Sequence, residues 1–222
     1  KRAIWIRDGV VEQDGPAKEV TKSYYNFMSY GFLPDTKVKL RSKVTAQAAN
    51  TFSEKPQYNW VDLTDFPSVG EGGAMIERVA FHFWDFQQKK ALEPVQSVLG
   101  SEWLVVVADM NIDQQINHPM FSVNVTNEIG NNITGIHSVF LEKKFPDLQA
   151  GEKIRVFYRF QLPRLKNGQY SLTLGISSGS YDYHVRHHCV HDAVLFKVVS
   201  PTLSQNSYYV SMDNVAVDFE KL

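Results

Sequence analysis

From residue 74 onward, hydrophobic and polar positions alternate with a period of two, which is the mark of strands buried on one side. In "AMIERVAFHFWD", Val79, Phe81 and Phe83 share one face and Arg78, His82 and Trp84 the other. "PMFSVNVTNEIG" turns Phe121, Val123 and Val125 one way and Ser122, Asn124 and Thr126 the other. "GEKIRVFYRFQL" sets Ile154, Val156, Tyr158 and Phe160 against Arg155, Phe157 and Arg159. "QYSLTLGIS" sets Tyr170, Leu172, Leu174 and Ile176 against Ser171, Thr173 and Ser177. "EWLVVVADMNI" is apolar almost throughout, as a strand inside a sandwich is. With "AVLFKVV" and "YYVSMDNVAVDFE", roughly seven or eight short strands separated by turns predict an all-β, immunoglobulin-like antiparallel β-sandwich over residues 74–222.

The first 30 residues have a different character. Ile4 and Ile6 alternate with their neighbours, Asp8-Gly9 turns the chain, and Val10-Val11 starts a returning strand, so a hairpin is predicted. Asp14-Gly15-Pro16 ends it and opens a helix whose Val20, Tyr24, Phe27 and Met28 recur at helical spacing. So small an appendage cannot bury its own apolar faces, and it must lean on an absent partner or stay loose. Residues 31–73 show turn formers and scattered aromatics without a clear period, and are expected to be a linker whose aromatics dock on a neighbour.

Composition narrows the function classes. The 222 residues, 43% hydrophobic, suffice for one substantial core plus a small appendage. A net charge of -1, with no Lys/Arg run longer than two residues, lacks the basic footprint of a nucleic-acid binder, so nucleic acid is not an expected partner. The single cysteine, Cys189, excludes an intrachain disulfide and favours a reducing compartment. No apolar stretch approaches the roughly 20 residues of a membrane span. A cytoplasmic location is expected.

"IWIRDGVVEQDGPAKEVTKSYYNF" resembles the closing hairpin and helix of an ABC-transporter ATP-binding domain: an apolar strand, D-G, a second strand, D-G-P, then a helix containing E-V. No G-x-x-x-x-G-K-[ST] phosphate loop occurs, so the chain is expected to be the back end of a larger protein, with ATP and Mg held elsewhere and no cofactor of its own. The order "PMFSVNVTNEIGNNITGIHS", "LQAGEKIRVFYRFQLPRLKNGQYSLTLGI", "HHCVHDAVLFKVV", over about residues 73–200, is similar to the C-terminal carbohydrate-binding domain of Wzt-type subunits of O-antigen polysaccharide exporters. The resemblance implies a non-catalytic domain at the inner face of a Gram-negative inner membrane. It would recognise O-antigen polysaccharide near its non-reducing end, and would meet the exporter's transmembrane subunit through the ATP-binding domain. Cys189 stands where that family often has tryptophan. A protein-interaction or dimerisation sandwich without glycan binding is the alternative.

A glycan surface combines polar side chains with an aromatic platform for the apolar face of a sugar ring. Asn124, Thr126, Ser171, Thr173 and Ser177 supply the polar half if their strands are neighbours; otherwise they are ordinary solvent-facing strand residues. Trp84, Phe157 and Tyr181 are candidate platforms, with core packing or linker docking as the alternative. "YDYHVRHHCVHD" gathers His184, His187, His188 and His191 beside Cys189. The spacing matches no standard zinc pattern, so no metal site is expected. The segment is expected to be a polar loop at the rim, where His184 and His187 reach sugar hydroxyls. Asp182 and Asp192 as paired acids, or Cys189 as a nucleophile, lack a spatial constellation, and no catalysis is expected. Finally, Ser200-Pro201 and a polar spacer precede the last strand, which can pair with its own sheet or with a partner's edge. Because the resembled subunits work in pairs, a homodimer with this strand exchanged is expected.

Overall fold

A computed structural model of the chain describes residues 1–7, 9–30, 58–141, 144–180, 182–199 and 212–222. A hairpin of β1 (Arg2–Arg7) and β2 (Val10–Pro16) leads into α1 (Ala17–Tyr30). The strands that follow are β3 (Val61–Asp62), β4 (Ser68–Val69), β5 (Ala74–Asp85), β6 (Lys90–Pro94), β7 (Ser97–Val98), β8 (Trp103–Ile112), β9 (Pro119–Asn127) and β10 (Asn132–His137). The series closes with β11 (Lys153–Gln161), β12 (Gly168–Gly179), β13 (His184–Val198) and β14 (Asp213–Lys221). They form the expected all-β sandwich. The first sheet has the order β10-β9-β12-β13-β4, with β7 beside β13; the second has the order β14-β11-β8-β5-β3, with β6 beside β5.

Alternation places the core as the sequence predicts. Phe121, Val123 and Val125 of β9 and Leu172, Leu174 and Ile176 of β12 face Leu104, Val106 and Met110 of β8 and Ile154, Val156, Tyr158 and Phe160 of β11, all buried. Strand β8 is apolar on both faces for a specific reason. Its even-numbered side chains enter the core, while Val105 and Val107 join Ala80 in a smaller cluster on the outer face of the second sheet, covered by Tyr58, Trp60, Trp84 and Phe157.

Two expectations change. The linker expected over residues 31–73 is shorter: residues 58–73 belong to the sandwich, and residues 31–57 lie outside the described residues. Leu63 is a core residue, β3 pairs with β5, and β4 pairs with β13. Periodicity missed this segment because its pairings are two residues long and glycines interrupt it. Gly70, at φ +154°, passes so close to β13 that a Cβ would stand 2.3 Å from the His187 carbonyl oxygen. The histidine-rich stretch is not a loop but most of the first half of β13, antiparallel to β12. Register shifts in that pairing accommodate its extra residues, and Asp192 takes a left-handed φ of +53°.

The appendage folds as a hairpin and helix and is anchored to the sandwich. Trp5 is buried against α1, edge-to-face with Tyr24 at 5.6 Å and beside buried Val20. Ile4, Ile6, Val10 and Val11 of the hairpin are exposed. Asp8 and the side chains of Phe27 and Met28 are outside the described set. At the start of α1, Lys18 Nζ pairs with Asp192 at 2.8 Å, and the same carboxylate accepts a hydrogen bond from the buried Ser171 hydroxyl at 2.5 Å. The helix therefore has a partner in this chain.

Within the chain, β14 runs antiparallel to β11, from Lys221 opposite Ile154 to Asp213 opposite Gln161. Met212, Val215, Val217 and Phe219 pack on the core, and residues 200–211, Val210 among them, lie outside the described residues.

A polar mismatch in the core sets a test. The Tyr158 hydroxyl is fully buried and finds no hydrogen-bond partner, and burial raises its pKa far above the usual phenol range. An unsatisfied buried hydroxyl costs about 1–3 kcal/mol. Tyr158→Phe is expected to stabilise the protein by about 1 kcal/mol in urea unfolding, with an unchanged m-value; a destabilised variant would show that the hydroxyl is satisfied in solution.

Candidate functional site

The sandwich has two outer faces, and the sequence-predicted site residues divide between them. On the first sheet, Thr173 stands opposite Asn124 and Ser171 opposite Thr126, so β9 and β12 are neighbours as the polar site requires. Their exposure does not follow. Ser171, Thr173 and Thr126 are buried rather than solvent-facing. The Ser171 hydroxyl is committed to Asp192, and the Thr126 hydroxyl to Asn132 Oδ1 at 3.1 Å. Asn124 and Ser177 remain half-exposed. The Asn124 amide lies over Gly135, where a Cβ would stand 2.1 Å from its Oδ1.

His184 is exposed at the start of β13, whereas His187 is buried with both ring nitrogens engaged. Its Nδ1 bonds the Gly72 carbonyl at 2.9 Å and its Nε2 the Ser178 hydroxyl at 2.8 Å. Half-buried His188 accepts the Ile76 N–H at Nδ1, 3.2 Å, and loss of solvent around the ring lowers its pKa. These rings tie β13 to its neighbours, which explains how histidines occupy a strand interior. Tyr181 lies outside the described residues. Among the described residues, no three His, Cys, Asp or Glu side chains converge as a metal site would require.

Trp84 and Phe157 are on the second sheet, on the far side of the sandwich from Asn124 and Thr173. The ten candidates therefore do not form one surface. Strand alternation says which residues share a face of their own strand, and is silent on which sheet the strand joins.

The outer face of the second sheet carries residues the polar-site reading passed over. At one end the Asp109 carboxylate, with a side chain only 3% exposed, is held by two arginines. Arg78 Nε donates at 2.8 Å, and Arg155 donates through Nε and Nη2 at 2.7 and 2.9 Å. The carboxylate's hydrogen bond is the main reason the Arg155 pKa rises. Trp60 covers both guanidinium groups, 4.4 Å from Arg78 and 5.1 Å from Arg155, and Tyr58 lies 5.6 Å from Arg155. Residues 58–60 thus form a strap across this half. His82 pins it: its Nδ1–H donates to the Leu92 carbonyl at 2.7 Å and its Nε2 accepts the Asn59 N–H at 3.0 Å.

Beyond the strap, Arg159 lies between Trp84 and Phe157, its guanidinium carbon 4.8 Å and 4.9 Å from the two ring centroids. Arg159 Nη1 donates to Asp218 of β14 at 2.9 Å, and its Nε is shielded without a partner. Both rings are half-exposed. This cluster offers two flat apolar surfaces and a charged donor between them. It can cover the apolar face of a ring while hydrogen-bonding oxygen atoms at its edge. The signal was present in "IRVFYRFQ", whose outward residues are arginine, phenylalanine and arginine rather than the small polar residues of an ordinary wet face.

His82 generates a pH test. Burial lowers its pKa, against smaller opposing effects of the Leu92 bond and the Glu93 charge. Neutral in the folded chain, it takes up a proton on unfolding once the pH is below about 6.5, so between that value and the lower folded pKa the unfolded state binds more protons. Stability should be flat above pH ~6.5 and fall below it, by at most about 1.4 kcal/mol per pH unit for each such histidine. His188, also lowered chiefly by burial, acts with the same sign. Unfolding midpoints from pH 7.5 down to 5 check this, with His82→Gln expected to flatten the slope; an undiminished slope would remove His82 from the account.

Residues 67–211 match the family model described as the Wzt C-terminal domain. Among solved structures, one titled "Crystal structure of the C-terminal domain of wzt" aligns with a TM-score of 0.51 and 17% identity, covering 68% of this chain and 86% of that one. At that identity the likeness is one of fold. A search of curated proteins finds no match.

Proposed function

Because the chain belongs to the Wzt C-terminal domain family, we propose that it recognises O-antigen polysaccharide for an ABC exporter, binding the glycan near its non-reducing end without chemical change. The observation that carries the reading is the pairing of Trp84 and Phe157 around Arg159 on an open sheet face. Sugars present apolar ring faces bordered by hydroxyls. Aromatic rings with an interposed guanidinium match both parts.

The rest of the reading follows the family context. The domain works in the cytoplasm at the inner membrane, joined through an ATP-binding domain to the transmembrane subunit. The exposed Ile4, Ile6, Val10 and Val11 of the hairpin suit burial against the remainder of such a domain. ATP and Mg belong to that domain, and this chain needs no cofactor. Among the described residues, no helix is long and apolar enough to cross a membrane.

Two copies act as a pair in which β14 is exchanged. The pairing seen between β14 and β11 would then form between chains, in the same register. The strand that supplies Asp218 to Arg159 would come from the second copy, so each binding face would be completed by its neighbour.

Binding of purified O-polysaccharide, set against unrelated glycans, tests the function. Trp84→Ala and Phe157→Ala should each weaken binding at least tenfold while the thermal transition stays cooperative. Equal binding by the variants would move the site to another face, and no binding by the parent protein would favour the protein-interaction sandwich. Removal of residues from Gln205 onward should give monomers or aggregates in sedimentation, because it bares the β11 edge. A truncated protein that sediments as the same dimer would exclude strand exchange as the link.

A further inference from the structure

We propose that the Phe86–Trp103 pair is a second sugar-ring platform, so that this face takes a run of consecutive sugar rings rather than a single terminal one. The inference rests on the reading that glycan lies on the outer face of the second sheet.

Its basis is the placement of the two rings. Trp103 opens β8 on the same face as Val105, Val107 and Asp109, and stands opposite Gln161 at the end of β11. The pairing of β5 with β8 ends at Phe83 opposite Leu104. One residue further, Trp84 and Trp103 are therefore neighbours across the strands, about 5 Å apart at Cβ. Phe86 lies just past the end of β5 and stacks on Trp103, with centroids 4.7 Å apart and planes 27° from parallel. The stack fixes both rings while Phe86 remains 62% exposed. A large aromatic ring held rigidly with a free face in water gains most from an apolar partner that leaves it little further ordering to undergo.

The polar surroundings suit a neutral sugar. Gln161 Nε2 donates to the Ser101 carbonyl at 2.9 Å, and Asn214 Nδ2 donates to Gln161 Oε1 at 3.1 Å. Asn214 is exposed, and its amide oxygen offers sugar hydroxyls an acceptor. The polar contacts thus change along the open strip. Arg159, opposite Val105, provides a charged donor midway along it, and an amide beside stacked rings provides neutral contacts at the Trp103 end. From the Phe157 level to the Trp103 level the strip covers four residues of strand, about 13 Å. That is longer than one sugar ring.

Calorimetry with size-fractionated fragments tests this, using polysaccharide released from the lipopolysaccharide of the bacterium that encodes the chain. For the parent protein, affinity should rise with fragment length and then level off. Phe86→Ala and Trp103→Ala should bind the shortest fraction as the parent does but lose the rise, about tenfold on the longest fraction. A rise that persists in both variants would reflect repeated epitopes on longer chains and overturn the second platform, as would a parent affinity independent of length. In those cases Trp84→Ala would still weaken binding at least tenfold and the glycan reading would stand. A parent protein that binds no fraction overturns both.

Discussion

The second sheet is organised around a buried carboxylate. Asp109 sits on the central strand β8 with almost no access to water, and its two oxygens are shared between guanidinium groups from the strands on either side. Leaving such a buried carboxylate without its guanidinium partners is costly, about 3–5 kcal/mol, because the charge stays buried. The triad therefore fixes the spacing of β5, β8 and β11 on a face that would otherwise be free to adapt. It also supports the strap, since Trp60 rests on both arginines. The strap in turn covers Val107 and its neighbours, and ends where the open strip around Arg159 begins. Position along one face thus separates a closed, structural half from an accessible half.

Much of this was legible in the sequence. Alternation assigned the core residues of β9, β11 and β12 correctly because each strand buries one face in a single shared core. The double-sided burial of β8 was visible as a continuous apolar run. What periodicity could not supply was sheet membership. Asn124 and Thr173 were rightly placed on neighbouring strands, and Trp84 and Phe157 rightly placed outward, yet the two sets are on opposite sides of the molecule. Burial on the polar side was hidden for another reason: Ser171 is enclosed with a partner, Asp192, that sits at an irregularity of β13 no pattern predicts. The histidines read as a loop because polar residues are rare inside strands. Here His187 and His188 have their hydrogen bonds met by backbone and hydroxyl groups of adjacent segments, which makes burial tolerable.

The appendage connects to this picture through one ion pair. Lys18 reaches Asp192, and Asp192 reaches Ser171 in the middle of the first sheet. The helix end is therefore joined to the face opposite the aromatic strip.

The central claim is that glycan is bound on the second sheet's outer face and not on the polar face of the first. Chemical-shift mapping with purified O-polysaccharide tests it most directly. The account predicts the largest changes at the indole N–H groups of Trp84 and Trp103 and at the Arg159 side chain, with Asn124, Ser177 and His184 unmoved. Changes confined to Asn124, Ser177 and their neighbours on β9 and β12, with both tryptophans silent, would contradict it.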